Sequence, residues 1–216
     1  MQTHYDEPMS YWEHRKPVQR ARAVDIDAVA RASRDALDAG GLRALTLRAV
    51  AGELGVAPAS LYSRVSGVDD LFDLALDAAL GEDSEVRDCL ERDDLHRILL
   101  AFFGHLIRHP WACHVIGFRA PRGPHYLQLS ERLCRLLEEA GSSDPLTASY
   151  ALSNFVIGSA MTAPISGDER AAPVDERIAP HYAALHARHR ADPQLADPQL
   201  IVDSGLSALL AQLTRA

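Results

Sequence analysis

The chain has only one lysine, Lys16, so nearly all of its positive charge is arginine, a bias that high-GC coding would produce. Its three cysteines, Cys89, Cys113 and Cys134, are odd in number and widely spaced. That excludes a disulfide framework and a CxxC metal pattern, and leaves buried reduced thiols as the expectation. Aromatic residues make up 6% of the chain while Ala and Leu abound, which disfavours sheet and favours helix. No apolar run approaches the roughly 18 residues of a membrane span. The opening MQTHYDEPMS lacks the apolar core of a signal peptide, so a cytoplasmic location is expected. There is no GxSxG elbow, phosphate loop or HExxH, which argues against an enzyme.

What is present is enough for a substantial core: 216 residues, 47% of them hydrophobic, as one large domain or two small ones. The net charge of −8 is unevenly spread. Residues 1–66 hold nine Arg/Lys against eight Asp/Glu, and the acidity belongs to the remainder. The balance is a mildly basic head on an acidic body, which speaks neither strongly for nor against nucleic acid.

The most informative stretch is Thr46–Val65, TLRAVAGELGVAPASLYSRV. Leu47, Val50, Ala51 and Leu54 recur at i, i+3, i+4 and i+7, one face of a helix. Gly55 follows, where a helix end tolerates the left-handed conformation. Pro58 suits the first position of a second helix. Leu61 and Val65 face back, leaving Pro58, Ala59, Ser60, Tyr62, Ser63 and Arg64 outward or sideways. Such a pair fits the geometry that places a helix in the major groove, and it fits an ordinary helical hairpin too.

Taken in order, the chain reads as nine or ten helices and no strand. Residues 1–23 form a loose leader in which Arg15, Lys16, Arg20 and Arg22 lie near Tyr11 and Trp12; it is a phosphate-neutralising arm or a solvated tail. A helix over about 25–38 carries Ile26, Val29, Ala30, Ser33 and Leu37 and stops at Gly40-Gly41. Another runs from Val68 to about Leu80, and the acidic stretch after Gly81 marks a seam. The second half holds an apolar helix from Leu95 to Pro110, a short one over 111–118, one over 126–140, and a long one from Asp144 to about Ala163. In the long one, Gly158, Ser159 and Ala160 are small enough for a close helix approach. Pro180 kinks or starts a stretch near 174–190, and Pro198 opens the last helix after a tandem ADPQL duplication. His181, His186 and His189 are the nearest approach to a metal cluster, but their spacing favours a polar face, so no metal and no cofactor is expected.

The segment LTLRAVAGELGVAPASLYSRVSGVDDLFDLAL resembles the N-terminal domain of the tetracycline-repressor (TetR) family of bacterial transcriptional regulators. Gly41, LTxRxVAxxLGV at 45–56, SLY at 60–62 and Leu71 carry the likeness, which is close over 24–80. HPW at 109–111, GPHYLQLSERLCRLLEEAG, the helix from Asp144 and SGLSALLAQL extend it more loosely. The resemblance implies an all-α homodimer. A three-helix helix-turn-helix domain (24–80) reads a near-palindromic double-stranded DNA operator, and a larger helical domain (81–216) binds a small organic effector that releases it. The dimer would form through the helices at 145–163 and 198–214, with no membrane involved.

Carried over residue by residue, Thr46 matches a phosphate contact and Arg48 a base contact. Pro58, Ala59, Ser60, Tyr62, Ser63 and Arg64 match the recognition surface, with Tyr62 on phosphate. Arg48 and Arg64 are the candidates for base readout, because arginine pairs bidentately with guanine. Two positions depart from the family pattern. Ala57 stands where a capping Ser or Thr is usual, and Val68, beside Asp69 and Asp70, replaces a phosphate-binding lysine. For the effector, apolar positions interrupted by polar ones are the candidates: Phe102, Phe103, His105, Trp111, His114, Phe118, Tyr126, Tyr150, Asn154, Met161 and Tyr182. The alternative is a ligand-binding or protein-interaction module of this fold without specific DNA binding.

Overall fold

A computed structural model describes residues 10–15, 24–166, 171–191 and 198–214. Among these are eleven α-helices and no strand. They are α1 Ile26–Gly40, α2 Leu47–Glu53, α3 Pro58–Leu61, α4 Val68–Glu82, α5 Ser84–Arg92, α6 Leu95–Arg108, α7 Pro110–Phe118, α8 Pro124–Glu139, α9 Pro145–Thr162, α10 Pro180–Ala191 and α11 Pro198–Leu213. The chain divides into two compact units, residues 1–87 with 111–131, and residues 88–110 with 132–216. The first unit thus includes most of α7 and the start of α8, stretches that the resemblance assigns to the effector half.

In the first unit α1 packs along α4. Asp25 caps α1 by accepting the Asp27 N–H, and Gly41, at φ 66°, ends it with its N–H on the Leu37 carbonyl. Val29, Leu37, Leu45, Val50, Ala51, Leu61, Val65 and Leu71 form the buried core. The apolar periodicity of the sequence is what closes it.

Residues 10–15 of the leader depart from the loose arm expected of it. Ser10 opens a 3-10 turn, Tyr11–Glu13, closed by a capping box in which Glu13 accepts the Ser10 N–H at 3.0 Å. Tyr11 is 1% exposed, so this part of the leader is docked rather than solvated. Lys16, Arg20 and Arg22 lie outside the described residues.

In the second unit α6 packs against α9 and α11, and α9 against α11. Ile98, Leu99, Phe102 and Leu106 of α6 meet a core shared with Leu152, Val156, Val202 and Leu206. Asp144 caps α9, accepting the Thr147 N–H at 3.0 Å and its hydroxyl at 2.6 Å; these bonds hold its carboxyl below the usual range. Of the small trio on α9, Ala160 is buried. Gly158 faces open space, whereas a Cβ on Gly205 would lie 2.3 Å from Phe155 Cζ. Pro180 is a true helix start, because residues 175–179 turn ahead of it.

Candidate functional site

The helix-turn-helix begins at Thr46, whose hydroxyl oxygen caps α2 by accepting the Ala49 N–H at 3.0 Å. The hydroxyl hydrogen stays available to a phosphate oxygen. Thr46 and Arg48 are both exposed. The end of α2 is a Schellman motif: Gly55, at φ 63°, donates to Gly52, and Val56 donates to Ala51 at 2.9 Å. This fixes the turn between α2 and α3. Ala57 makes no side-chain cap, as its methyl dictates.

The second helix is shorter than the pattern suggested. α3 spans four residues, after which Ser63 and Arg64 donate to carbonyls three residues back. Pro58, Ala59, Ser60, Tyr62 and Ser63 are exposed, and the Ser63 hydroxyl donates to the Ser60 carbonyl at 2.7 Å. Arg64 departs from the outward position assigned to it. It is 6% exposed, turned into the unit rather than toward a groove. The chain turns tightly here, with the Arg64 and Val65 N–H groups both on the Leu61 carbonyl at 2.8 and 2.9 Å, and Arg64 shares the buried side with Leu61 and Val65. Of the two arginines named for base readout, only Arg48 presents itself.

Behind this surface lies a constellation the sequence reading missed. α4 buries three aspartates, Asp70, Asp73 and Asp77, on one side. Each carries a different load. Asp73 accepts Arg119 Nε at 2.7 Å and Nη2 at 2.9 Å, and also the Tyr11 N–H at 2.8 Å. Arg119 is itself buried, touches Asp69 at 3.2 Å, and has its pKa raised chiefly by the Asp73 hydrogen bonds. Asp70 accepts the Ser66 N–H at 2.6 Å and lies 3.0 Å from His14 Nε2. Asp77 accepts the N–H groups of His125 and Tyr126 and pairs with His125 Nδ1 at 2.9 Å. Buried carboxylates need such partners, since an unpaired buried charge costs several kcal/mol. The available signals were the recurrence of Asp at 70, 73 and 77 on an apolar helix, and the S-x-x-E capping box at Ser10–Glu13.

The effector candidates divide between the units. Trp111, His114, Phe118 and Tyr126 lie in the first. Trp111 is buried and donates its indole N–H to Asp38 at 2.6 Å, and Phe118 packs edge-on against Phe72. Burial, with a smaller push from Cys113, drives the Tyr126 hydroxyl up to about 12. His114 is exposed. In the second unit Phe102, Phe103 and His105 are buried on α6, with the Phe102 and His105 rings stacked. Tyr150, Asn154, Met161 and Tyr182 are exposed instead, so these four do not line an enclosed site within that unit. Among the described residues no group of three His, Cys, Asp or Glu could hold a metal ion, and no helix is long and apolar enough to cross a membrane.

Comparison with known proteins gives a consistent picture. Residues 92–197 match the family model described as the tetracyclin repressor-like C-terminal domain. An HTH-type transcriptional regulator of Saccharopolyspora erythraea is 36% identical over 186 residues, 82% of this chain and 78% of the relative. The HTH-type transcriptional repressor DrrR1 of Streptomyces coeruleorubidus is 35% identical over 148 residues, 63% of this chain and 53% of its own. Among solved structures, a possible TetR family regulator from Streptomyces coelicolor A3(2) superposes with a TM-score of 0.72 at 24% identity, covering 88% of this chain and 98% of the other. ActR of Streptomyces coelicolor, in complex with (S)-DNPA, gives a TM-score of 0.67 at 25% identity over 88% and 97%.

Proposed function

Because the chain belongs to the TetR family of transcriptional regulators, we propose that it is a repressor that binds a near-palindromic operator as a homodimer and is released by a small organic ligand. The observation that carries this reading is the exposed set Thr46, Arg48, Ser60 and Tyr62, held on a helix-turn-helix whose turn is fixed by Gly55. Arg48 supplies base readout, and Thr46 and Tyr62 hold phosphates. The homodimer is supported by apolar side chains left exposed on both helices named for it: Leu146, Tyr150 and Met161 on α9, Leu200 and Ile201 on α11. The effector is a compound with an apolar body, taken up beside Phe102 and Phe103.

One observation favours a second reading, a module of this fold without specific DNA binding. Arg64 is turned inward and α4 opens with Val68, beside Asp69, where a phosphate-binding lysine is usual, so the reading surface is poor in cations. A gel shift with the DNA upstream of the protein's own gene, titrated over salt, separates the two. A shifted band that specific competitor removes at lower concentration than scrambled DNA is the expected result. No shift at any salt would establish the second reading.

A further inference from the structure

The docked leader bears on the reading helix through one carboxylate. Asp70 Oδ2 accepts the Ser66 N–H at 2.6 Å, and Ser66 lies just beyond the turn that ends at Arg64. The same carboxylate takes His14 Nε2 at 3.0 Å from Oδ1. One turn further along α4, Asp73 takes the Tyr11 N–H, already charge-neutralised by Arg119. Tyr11 fills a buried slot with its ring edge-on to Trp12 and to His14. Arg64 and Asp70 both lie within electrostatic reach of the Tyr11 hydroxyl, whose pKa burial raises. Ser10–His14 is therefore a built element with its own capping box, tied at two points to the helix that also ties down the end of the reading segment.

We propose that Ser10–His14 is a brace that sets the pose of the DNA-reading segment, with His14 as a positioning residue acting through Asp70 on Ser66, and without itself touching DNA. The inference rests on the DNA-reading function proposed above. The logic is preorganisation. A short helix of four residues has little stability of its own, and its exposed side chains read bases only if its backbone is held. Asp70 can hold Ser66 firmly only if its own rotamer is fixed, and His14 fixes it by lying within 3.0 and 3.1 Å of its two oxygens. A leader that instead served as a phosphate-binding arm would contribute through counterion release, a different and separable signature.

The test uses the full chain as wild type and two variants, His14→Ala and His14→Gln, the last retaining an N–H donor at similar reach. Operator affinity is measured over a salt series with the upstream fragment, and amide exchange is followed at residues 62–66 in the free protein. The brace predicts that His14→Ala weakens operator binding about tenfold, the order expected when a hydrogen bond to a charged group is lost. It predicts an unchanged salt slope, faster exchange at Ser66, and recovery of both affinity and protection in His14→Gln. A slope reduced by about one unit in His14→Ala would mean a phosphate contact and would overturn the proposal. So would unchanged affinity, or unchanged Ser66 exchange. The exchange readout needs no DNA, so it decides the brace even if the wild type shifts no fragment, an outcome that sinks the DNA-reading function alone.

Discussion

Arg48 and Arg64 look equivalent as letters, yet the fold treats them oppositely. Arg48 stands exposed on the first turn of α2, whereas Arg64 is carried inward at the tight turn after Leu61. The two substitutions should therefore separate. Arg48→Ala is expected to lose about 1–3 kcal/mol of base discrimination per half-site, read as convergence of specific and scrambled competitor curves. Arg64→Met should keep that discrimination. Loss of discrimination in Arg64→Met, with Arg48→Ala unaffected, would reverse the assignment. Arg119 offers a second test at this scale. Its guanidinium neutralises buried Asp73, so Arg119→Met should destabilise by about 3–5 kcal/mol in chemical denaturation, because a bare carboxylate is left inside. Adding Asp73→Leu to Arg119→Met should recover part of the loss. Full recovery is not expected, since the Tyr11 N–H then loses its acceptor.

Elements were legible where periodicity and punctuation agreed. Asp144 with Pro145, Gly55 before Val56, and Gly40-Gly41 each marked a helix end that the structure has within a residue or two. What stayed hidden depended on partners far away in sequence. Nothing local says that Asp73 meets Arg119 or that Asp77 meets His125, and acidic letters on a helix ordinarily mean a solvated face. The inward turn of Arg64 was hidden for another reason, since the point at which α3 gives way to a turn after four residues leaves no letter pattern. The glycines show the same limit. Gly158 was one of three small positions expected to admit a close helix and faces open space, whereas Gly205 is where α11 meets Phe155 of α9. Gly205→Ala should force α9 and α11 apart or push Phe155 off its rotamer, costing about 1–3 kcal/mol of stability. Gly158→Ala should leave the monomer unharmed. Thermal unfolding of the pair at one protein concentration checks this, and equal melting points would refute the packing role of Gly205.

At the scale of the whole molecule, α9 and α11 leave apolar residues exposed, among them Leu146, Tyr150, Leu200 and Ile201. If two copies pair through these helices, the melting temperature should rise with protein concentration, as linkage requires. Leu146→Glu, placed on the exposed side of α9, should abolish that dependence and give a monomer by sedimentation, while helix content is kept. A dimer that survives Leu146→Glu together with Ile201→Glu would show that another face is used. The aspartates of α4 have a consequence of a historical kind. Each is matched to a partner elsewhere in the first unit: Asp70 to His14, Asp73 to Arg119, Asp77 to His125. A change at one member alone strands the other, so such changes should be rare and changes in both together should be tolerated. Across descendants of a common ancestor these pairs ought therefore to drift in step, His14 with Asp70 and Arg119 with Asp73, while the exposed letters of the reading surface drift with whatever DNA each descendant came to recognise.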